Sequence, residues 1–123
     1  MRAPSVTDLL ADPRTVAVDI DGLADFVAGA GVGLAVLTGR AGRRPASHDL
    51  AVVVREFLRD PWRELRVAVV EDDWSAEAKE RWGVRIEPSL LIARDGVVLE
   101  VVAGIRDWSV YAERVGRVLE RAA

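Results

Sequence analysis

The sequence predicts an α/β fold: a central mixed sheet with helices on both faces. Short apolar runs alternate with segments whose apolar residues recur at helical spacing, a pattern typical of parallel strands joined by helical crossovers. Near the carboxyl end, Asp95 and Gly96 stand between two apolar runs and predict a β-hairpin, because both turn positions favour positive φ. The last two strands should therefore pair antiparallel.

The predicted elements follow the order βαβαβαββα. The apolar or β-branched runs predicted as strands are residues 15–18, 33–38, 65–70, 89–93 and the run after Gly96. The first helix is expected to have Asp21 as its N-cap and to end at Gly31, and the second to run from about His48 to Arg59. A short third helix should begin at the N-cap Ser75 and end at Trp82 and Gly83. The fourth begins at about Asp107, with the apolar stripe Trp108, Tyr111, Val115, Val118 and Leu119.

Length and composition favour one domain over residues 1–123, with its core at about residues 15–121. Half of the 123 residues are hydrophobic, which suffices for one buried core. The 17 basic and 20 acidic residues give a net charge of -3, too mixed for a nucleic-acid binder with a concentrated basic face. We find neither a secretory signal nor an apolar stretch of the length that crosses a bilayer. We therefore expect a soluble cytoplasmic protein without membrane insertion.

The sequence contains no cysteine and a single histidine. Disulfides, thiol nucleophiles, iron–sulfur ligation and cysteine-type zinc sites all need a cysteine sulfur and are excluded. His48 alone makes a poor metal site and is expected to cap the second helix. We predict no cofactor, no metal and no catalytic residue.

The stretch from Trp82 to Val98 resembles the thioredoxin segment in which a helix ends, a cis-proline follows and a hairpin turns at a glycine. Gly83, Pro88 and Gly96 have the matching spacing. The resemblance implies a thioredoxin-like fold in which Pro88 is cis and borders a peptide-binding groove. It also places the thioredoxin dithiol in the loop of residues 40–48, where the two cysteines are missing.

Residues 15–120 are similar to a family of [NiFe] hydrogenase accessory proteins of the HyaE or HupG type. The similarity lies in Arg-Glu-Phe at 55–57, Val-Ala-Val-Val at 67–70, Arg-Trp-Gly-Val-Arg at 81–85 and Gly-Ile-Arg-Asp-Trp at 104–108. The resemblance implies a non-catalytic maturation chaperone that binds the hydrogenase small subunit or its twin-arginine signal segment. Other hydrogenase accessory proteins are further candidate partners.

The candidate partner-binding residues are Glu71, Asp72, Asp73, Trp74, Glu87 and Pro88. The three acidic residues 71–73, which we predict to form a turn and name the acidic turn, follow a central strand, at the edge where open α/β sheets place ligands. They could attract an arginine-bearing segment, and Trp74 could add a cation–π contact. Glu87 would place a carboxylate at the rim of the groove. The alternatives are that the three acidic residues form only a solvated turn and that Glu87 is only an exposed residue at the start of a strand.

The four tryptophans and a basic loop complete the candidate surfaces. Trp82 and Trp108 lie on helix stripes and are predicted to be core residues, whereas Trp62 and Trp74 lie in turns and are candidate interface anchors. The basic loop carries Arg40, Arg43 and Arg44. It could engage an acidic partner or merely be solvated.

Two other functions stay open. One is a generic cysteine-free thioredoxin-like adaptor for another protein. The other is a phosphatase of the haloacid-dehalogenase type, because Asp19 and Asp21 resemble its nucleophile strand, Thr38 its second motif and Asp72-Asp73 its magnesium pair. Against the phosphatase, Leu23 stands where that family has threonine, and the interval from Asp21 to the next strand is too short for the insertion found there.

Overall fold

A computed structural model describes residues 9–38, 45–59, 64–70, 75–86 and 88–120. In the second range the side chains are described only from residue 49 onward, and in the fourth only from residue 77 onward. The strands β1 to β5 are Thr15–Ala17, Val32–Leu37, Leu65–Val70, Ser89–Arg94 and Val97–Ala103. The helices α1 to α4 are Ile20–Ala28, Pro45–Leu58, Ser75–Trp82 and Trp108–Glu120. The predicted order of elements is confirmed.

The five strands form one sheet in the order β1-β3-β2-β4-β5. Strand β3 pairs parallel with β1 and β2, whereas β4 pairs antiparallel with β2 and β5. The predicted hairpin joins β4 to β5, with φ of 49° at Asp95 and 90° at Gly96. Asp95 also connects this turn to the segment between α1 and β2, because its carboxylate accepts a hydrogen bond of 2.7 Å from the N–H of Gly31.

Both faces of the sheet are covered, which produces two core layers. Side chains of a strand alternate between the faces, so Leu34 and Val36 of β2 pack into the layer under α2 and α4. Ala35 and Leu37 pack into the layer under α1 and α3. Every residue of β2 is consequently buried, as its continuously apolar sequence predicts. The first layer also contains Leu9, which precedes β1 and is fully buried.

Two helix starts differ from the sequence predictions. Asp19, not Asp21, is the N-cap of α1: its backbone is extended and its carboxylate accepts a 2.7 Å hydrogen bond from the N–H of Gly22. Asp21 lies in the first turn instead, where a negative charge suits the helix dipole. Helix α2 begins at Pro45, because proline needs no N–H partner in a first turn. His48 is therefore inside α2 and does not cap it.

An arginine fills the space that two glycines leave beside α1. The Nη1 of Arg66 donates a 2.8 Å hydrogen bond to the carbonyl oxygen of Phe26, and its guanidinium carbon lies 4.7 Å from the centroid of the Phe26 ring. A Cβ atom added at Gly29 would lie 2.8 Å from Nη1, and one added at Gly33 would lie 2.9 Å from the Phe26 ring. Glycine at position 33 therefore makes room for the Phe26 ring, and glycine at position 29 lets the Arg66 guanidinium lie where it does.

Candidate functional site

Pro88 lies at the edge of the sheet where β2 and β3 end and β4 begins. It is buried, and its carbonyl oxygen accepts a 2.8 Å hydrogen bond from the N–H of Gly104, beyond the end of β5. The next residue, Ser89, is fully buried and donates from Oγ to the carbonyl oxygen of Ile86 at 2.6 Å. These bonds hold the segment before β4 against the segment after β5.

Exposed apolar side chains occur in the two segments that the hydrogen bond between Pro88 and Gly104 joins and at the start of the helix that follows. Ile86 is 51% exposed, Ile105 41% and Trp108 49%, although large apolar residues are usually buried. Ile86 is close to Gly104, because a Cβ atom at Gly104 would lie 4.0 Å from its Cγ2. We name the set of Ile86, Pro88, Gly104, Ile105 and Trp108 the Pro88 surface. The sequence analysis identified Pro88 but missed Ile86 and Ile105. Their position outside the apolar stripe of any helix or strand could have indicated that they are exposed.

The prediction that Trp108 belongs to the core is wrong. Trp108 is the first residue of α4. One face of its ring stacks on Phe57 of α2, with centroids 4.8 Å apart and planes at 29°. Nearly half of the side chain is solvent-accessible. Trp82 is half-buried and packs on the layer under α1 and α3, which agrees with its predicted place.

Tyr111 positions the loop between β5 and α4. Its hydroxyl donates a 3.1 Å hydrogen bond to the carbonyl oxygen of Gly104 and accepts one of 3.0 Å from the N–H of Arg106. The side chain is fully buried, and this burial raises the pKa of its hydroxyl above the ordinary value, against the weaker effect of the bond from Arg106. Gly104 has φ of +70°, which side-chain-bearing residues rarely adopt. The Pro88 surface is therefore held in a fixed shape.

Replacing Tyr111 with phenylalanine tests this positioning role. We expect the free energy of unfolding to fall by about 1–2 kcal/mol, because two backbone groups lose their shared partner. Urea denaturation at pH 7 measures this change. Since the raised pKa favours the neutral hydroxyl in the fold, the native protein should also lose stability as pH rises past about 10. The phenylalanine variant should lack this loss of stability at high pH. An unchanged urea midpoint at pH 7 would show that the hydrogen bonds of the Tyr111 hydroxyl do not stabilise the fold.

The remaining predicted site residues lie outside the described part of the chain: Glu71, Asp72, Asp73, Trp74 and Glu87, with Trp62 and the arginines of the basic loop. The residue before the acidic turn, Val70, is described. Its carbonyl oxygen accepts hydrogen bonds from the N–H of Thr38 at 3.0 Å and from its Oγ1 at 3.1 Å. Leu37, the neighbour of Thr38, pairs with Ser89. Strand β3 therefore ends on the same edge of the sheet as the Pro88 surface.

The described residues offer no arrangement that suits the phosphatase. Asp19, the proposed nucleophile, uses its carboxylate as the α1 N-cap. Thr38, the proposed phosphate ligand, is fully buried and its hydroxyl bonds to Val70. Among the residues whose positions are given, no group of three His, Asp or Glu side chains could hold a metal ion. None of the described helices has the length and apolarity to span a membrane.

Comparison with known structures defines the class of protein. A mutant thioredoxin from Halobacterium salinarum matches with a TM-score of 0.68 and 21% identity, over 89% of this chain and 95% of that one. The fold and the Pro88 surface together define a thioredoxin-like domain without cysteine.

Residues 6–111 match the family model of the hydrogenase-1 expression protein HyaE, and the chain belongs to this family. It is 34% identical over 119 residues to the hydrogenase expression/formation protein HoxO of Cupriavidus necator, covering 94% of this chain and 74% of that protein. It is 35% identical over 83 residues to HupG of Bradyrhizobium diazoefficiens, covering 68% of this chain but only 56% of that protein. The resemblance inferred from the sequence motifs is confirmed.

Proposed function

We propose that this chain is a non-catalytic chaperone of [NiFe] hydrogenase maturation. It binds the hydrogenase small subunit, or the twin-arginine signal segment of that subunit, in the cytoplasm. The observation that carries the proposal is the Pro88 surface: exposed apolar side chains on a fixed loop framework, in a sequence without cysteine. Membership of a family of hydrogenase expression proteins supports the choice of partner.

The Pro88 surface has the properties of a peptide-binding surface. Ile86, Ile105 and Trp108 offer apolar contact area, and tryptophan is among the residues that most often dominate binding energy. The hydrogen bonds of Tyr111 and Pro88 fix the backbone beneath them, so little conformational entropy is lost on binding. Signal segments carry an apolar run, which such a surface can cover.

The acidic turn supplies the complementary charge. Glu71, Asp72 and Asp73 follow Val70 directly in the sequence, and Val70 lies on the same edge as the Pro88 surface. A twin-arginine segment has two adjacent guanidinium groups, which pair favourably with carboxylates. We therefore assign the arginine pair to the acidic turn and Glu87, and the apolar run to the Pro88 surface.

The proposal is tested by retention of the hydrogenase small subunit on the immobilised protein. We expect the signal-bearing subunit to be retained, and retention to fall at least about fivefold when Asp72 and Asp73 are both changed to lysine, since two attractive pairs become repulsive. A subunit lacking its signal segment separates binding of the signal from binding of the body.

The matched control changes Asp25 and Glu120 to lysine. Both are exposed and lie on α1 and α4, and the double change alters net charge equally. Equal losses in both double variants would show a general charge effect and remove the acidic turn from the proposal. Retention of neither form of the subunit by the native protein would overturn the chaperone function itself.

A further inference from the structure

The second feature with the geometry of a binding site is the free edge of β5. Among the strands that the structure describes, β5 is the last in the sheet order and pairs only with β4. The N–H of Gly104 points toward β4, because it bonds to the carbonyl oxygen of Pro88. Peptide groups alternate in direction along an antiparallel strand, so those of Val101 and Ala103 point away from β4. They form an open edge that a further strand can use.

A groove of about 380 Å³ runs along this edge. Its floor is β5 from Val98 to Val101, one wall is Arg81 and Trp82 at the end of α3, and the other is Arg114 of α4. Helices α3 and α4 pack on opposite faces of the sheet, since Ala78 belongs to one core layer and Val115 to the other. The two arginines therefore flank the free edge of β5 from both faces.

The charge of these arginines is available to a ligand. Arg81 is exposed and makes no ion pair within the described residues. Arg114 is 39% exposed and lies 3.6 Å from a carboxylate oxygen of Glu100, whereas Arg117 holds that carboxylate more closely, at 3.0 Å. Glu100 also lines the groove, so the two arginines leave its lining with a net charge of +1. In a chain of net charge -3, this favours an acidic occupant.

We propose that the β5 edge binds an extended peptide segment with two consecutive acidic residues as an added strand. Successive side chains of a strand point to opposite faces, so one acidic side chain would meet Arg81 and the next Arg114. Trp82 would cover the apolar neighbours. This site takes the opposite charge from the acidic turn and does not depend on the proposed hydrogenase function.

The register of β5 limits the length of the added strand. A β-bulge leaves Leu99 without an opposite residue, since Ile92 pairs with Glu100 and Ala93 with Val98. Bulges interrupt regular pairing and bend the strand. Regular pairing therefore extends from Glu100 to Ala103, and the proposed segment makes its main-chain hydrogen bonds over about four residues.

The test is an NMR titration with the peptide Ser-Val-Thr-Asp-Glu-Val-Thr-Ser, compared with the same peptide carrying Asn-Gln in place of Asp-Glu. We expect the amides of Val101 and Ala103 to exchange rapidly in the free protein and to become protected when the acidic peptide binds. The uncharged peptide should bind about tenfold more weakly. Higher ionic strength should weaken binding of the acidic peptide, because exposed charges are screened.

Substitutions of the two arginines test whether the acidic peptide binds in the groove. Arg81→Glu and Arg114→Gln should each weaken binding of the acidic peptide about fivefold or more. Lys79→Glu is the matched control, because it is exposed on α3 but does not line the groove. Ile86→Ser, which adds no charge beside Gly104, should leave this binding unchanged, which separates the edge from the Pro88 surface.

Three outcomes would overturn the proposal. The first is equal affinity for the charged and uncharged peptides, and the second is an equal effect of Lys79→Glu and Arg81→Glu. The third is protection of Val101 and Ala103 in the free protein that rises with protein concentration, which would mean that a second copy of the chain covers the edge.

Discussion

Changing Ile86 to aspartate, or Trp108 to alanine, should weaken binding of the signal-bearing small subunit about 30-fold or more. Central apolar residues of an interface often contribute about 2 kcal/mol or more, which corresponds to this factor. Ile86 is 51% exposed and Trp108 49%, so much of each side chain is available to a partner. Aspartate at position 86 would also have to be desolvated when the partner binds. Isothermal titration calorimetry with the isolated signal peptide measures the change.

Two controls separate binding from folding. Val97→Asp places the same charge on another exposed apolar residue, six residues along β5 from Ala103 and hence about 20 Å from the Pro88 surface. Trp108→Phe keeps an aromatic ring to stack on Phe57. We expect the first control to bind as the native chain does and the second to lose less affinity than alanine. Native affinity in both Ile86→Asp and Trp108→Ala would exclude the Pro88 surface as the binding site.

Changing Leu34 to alanine should lower the free energy of unfolding by about 2–5 kcal/mol. Leu34 is fully buried in β2, opposite Val67 on one side and Ile92 on the other. It packs in the layer under α2 and α4. The loss combines the transfer free energy of the missing methyl groups with a cavity that neighbours anchored in the sheet fill only in part. For a domain of ordinary stability this is a large fraction of the total.

Val97→Ala is the matched control for this change. Val97 is also a strand residue with an apolar side chain, but 55% of it is exposed, so we expect a change within about 0.5 kcal/mol. Urea denaturation followed by tryptophan fluorescence gives both values. The dependence of the free energy of unfolding on urea concentration should be the same for the native protein and the two variants. Similar losses at Leu34 and Val97 would contradict the assignment of Leu34 to the core.

The two binding surfaces would divide the recognition of a partner by charge. The acidic turn and the Pro88 surface suit a basic and apolar segment, whereas Arg81 and Arg114 suit an acidic one at the β5 edge. A protein that carries both segments could bind at two points, and its affinity would then exceed that of either segment alone. Neither kind of binding requires the thiols that the sequence lacks.

Sequence pattern was sufficient for the element order, the hairpin and the class of fold. The buried strand Leu65–Val70 was predicted with its observed bounds, since a run that is apolar at every position but Arg66 indicates burial on both faces. The hairpin was predicted from Asp95 and Gly96, whose positive φ is a local requirement. Helix starts were less accurate. Asp19 and Asp21 are equally suited to capping by residue type, and the backbone angles at the strand end decide between them.

The sequence by itself determined that this chain folds as an α/β domain and does no dithiol chemistry, because hydrophobic periodicity and the absence of cysteine are local properties of the chain. The thioredoxin type followed from the resemblance of residues 82–98. Only the tertiary structure decided which apolar residues remain exposed. Trp108 lies on the apolar stripe of α4 yet is half exposed, whereas Tyr111, three residues later on the same stripe, is fully buried. Likewise, Ile86 lies beside Gly104, the neighbour of Ile105, only because β4 and β5 pair. Such surfaces arise from contacts between distant segments, which no local pattern contains.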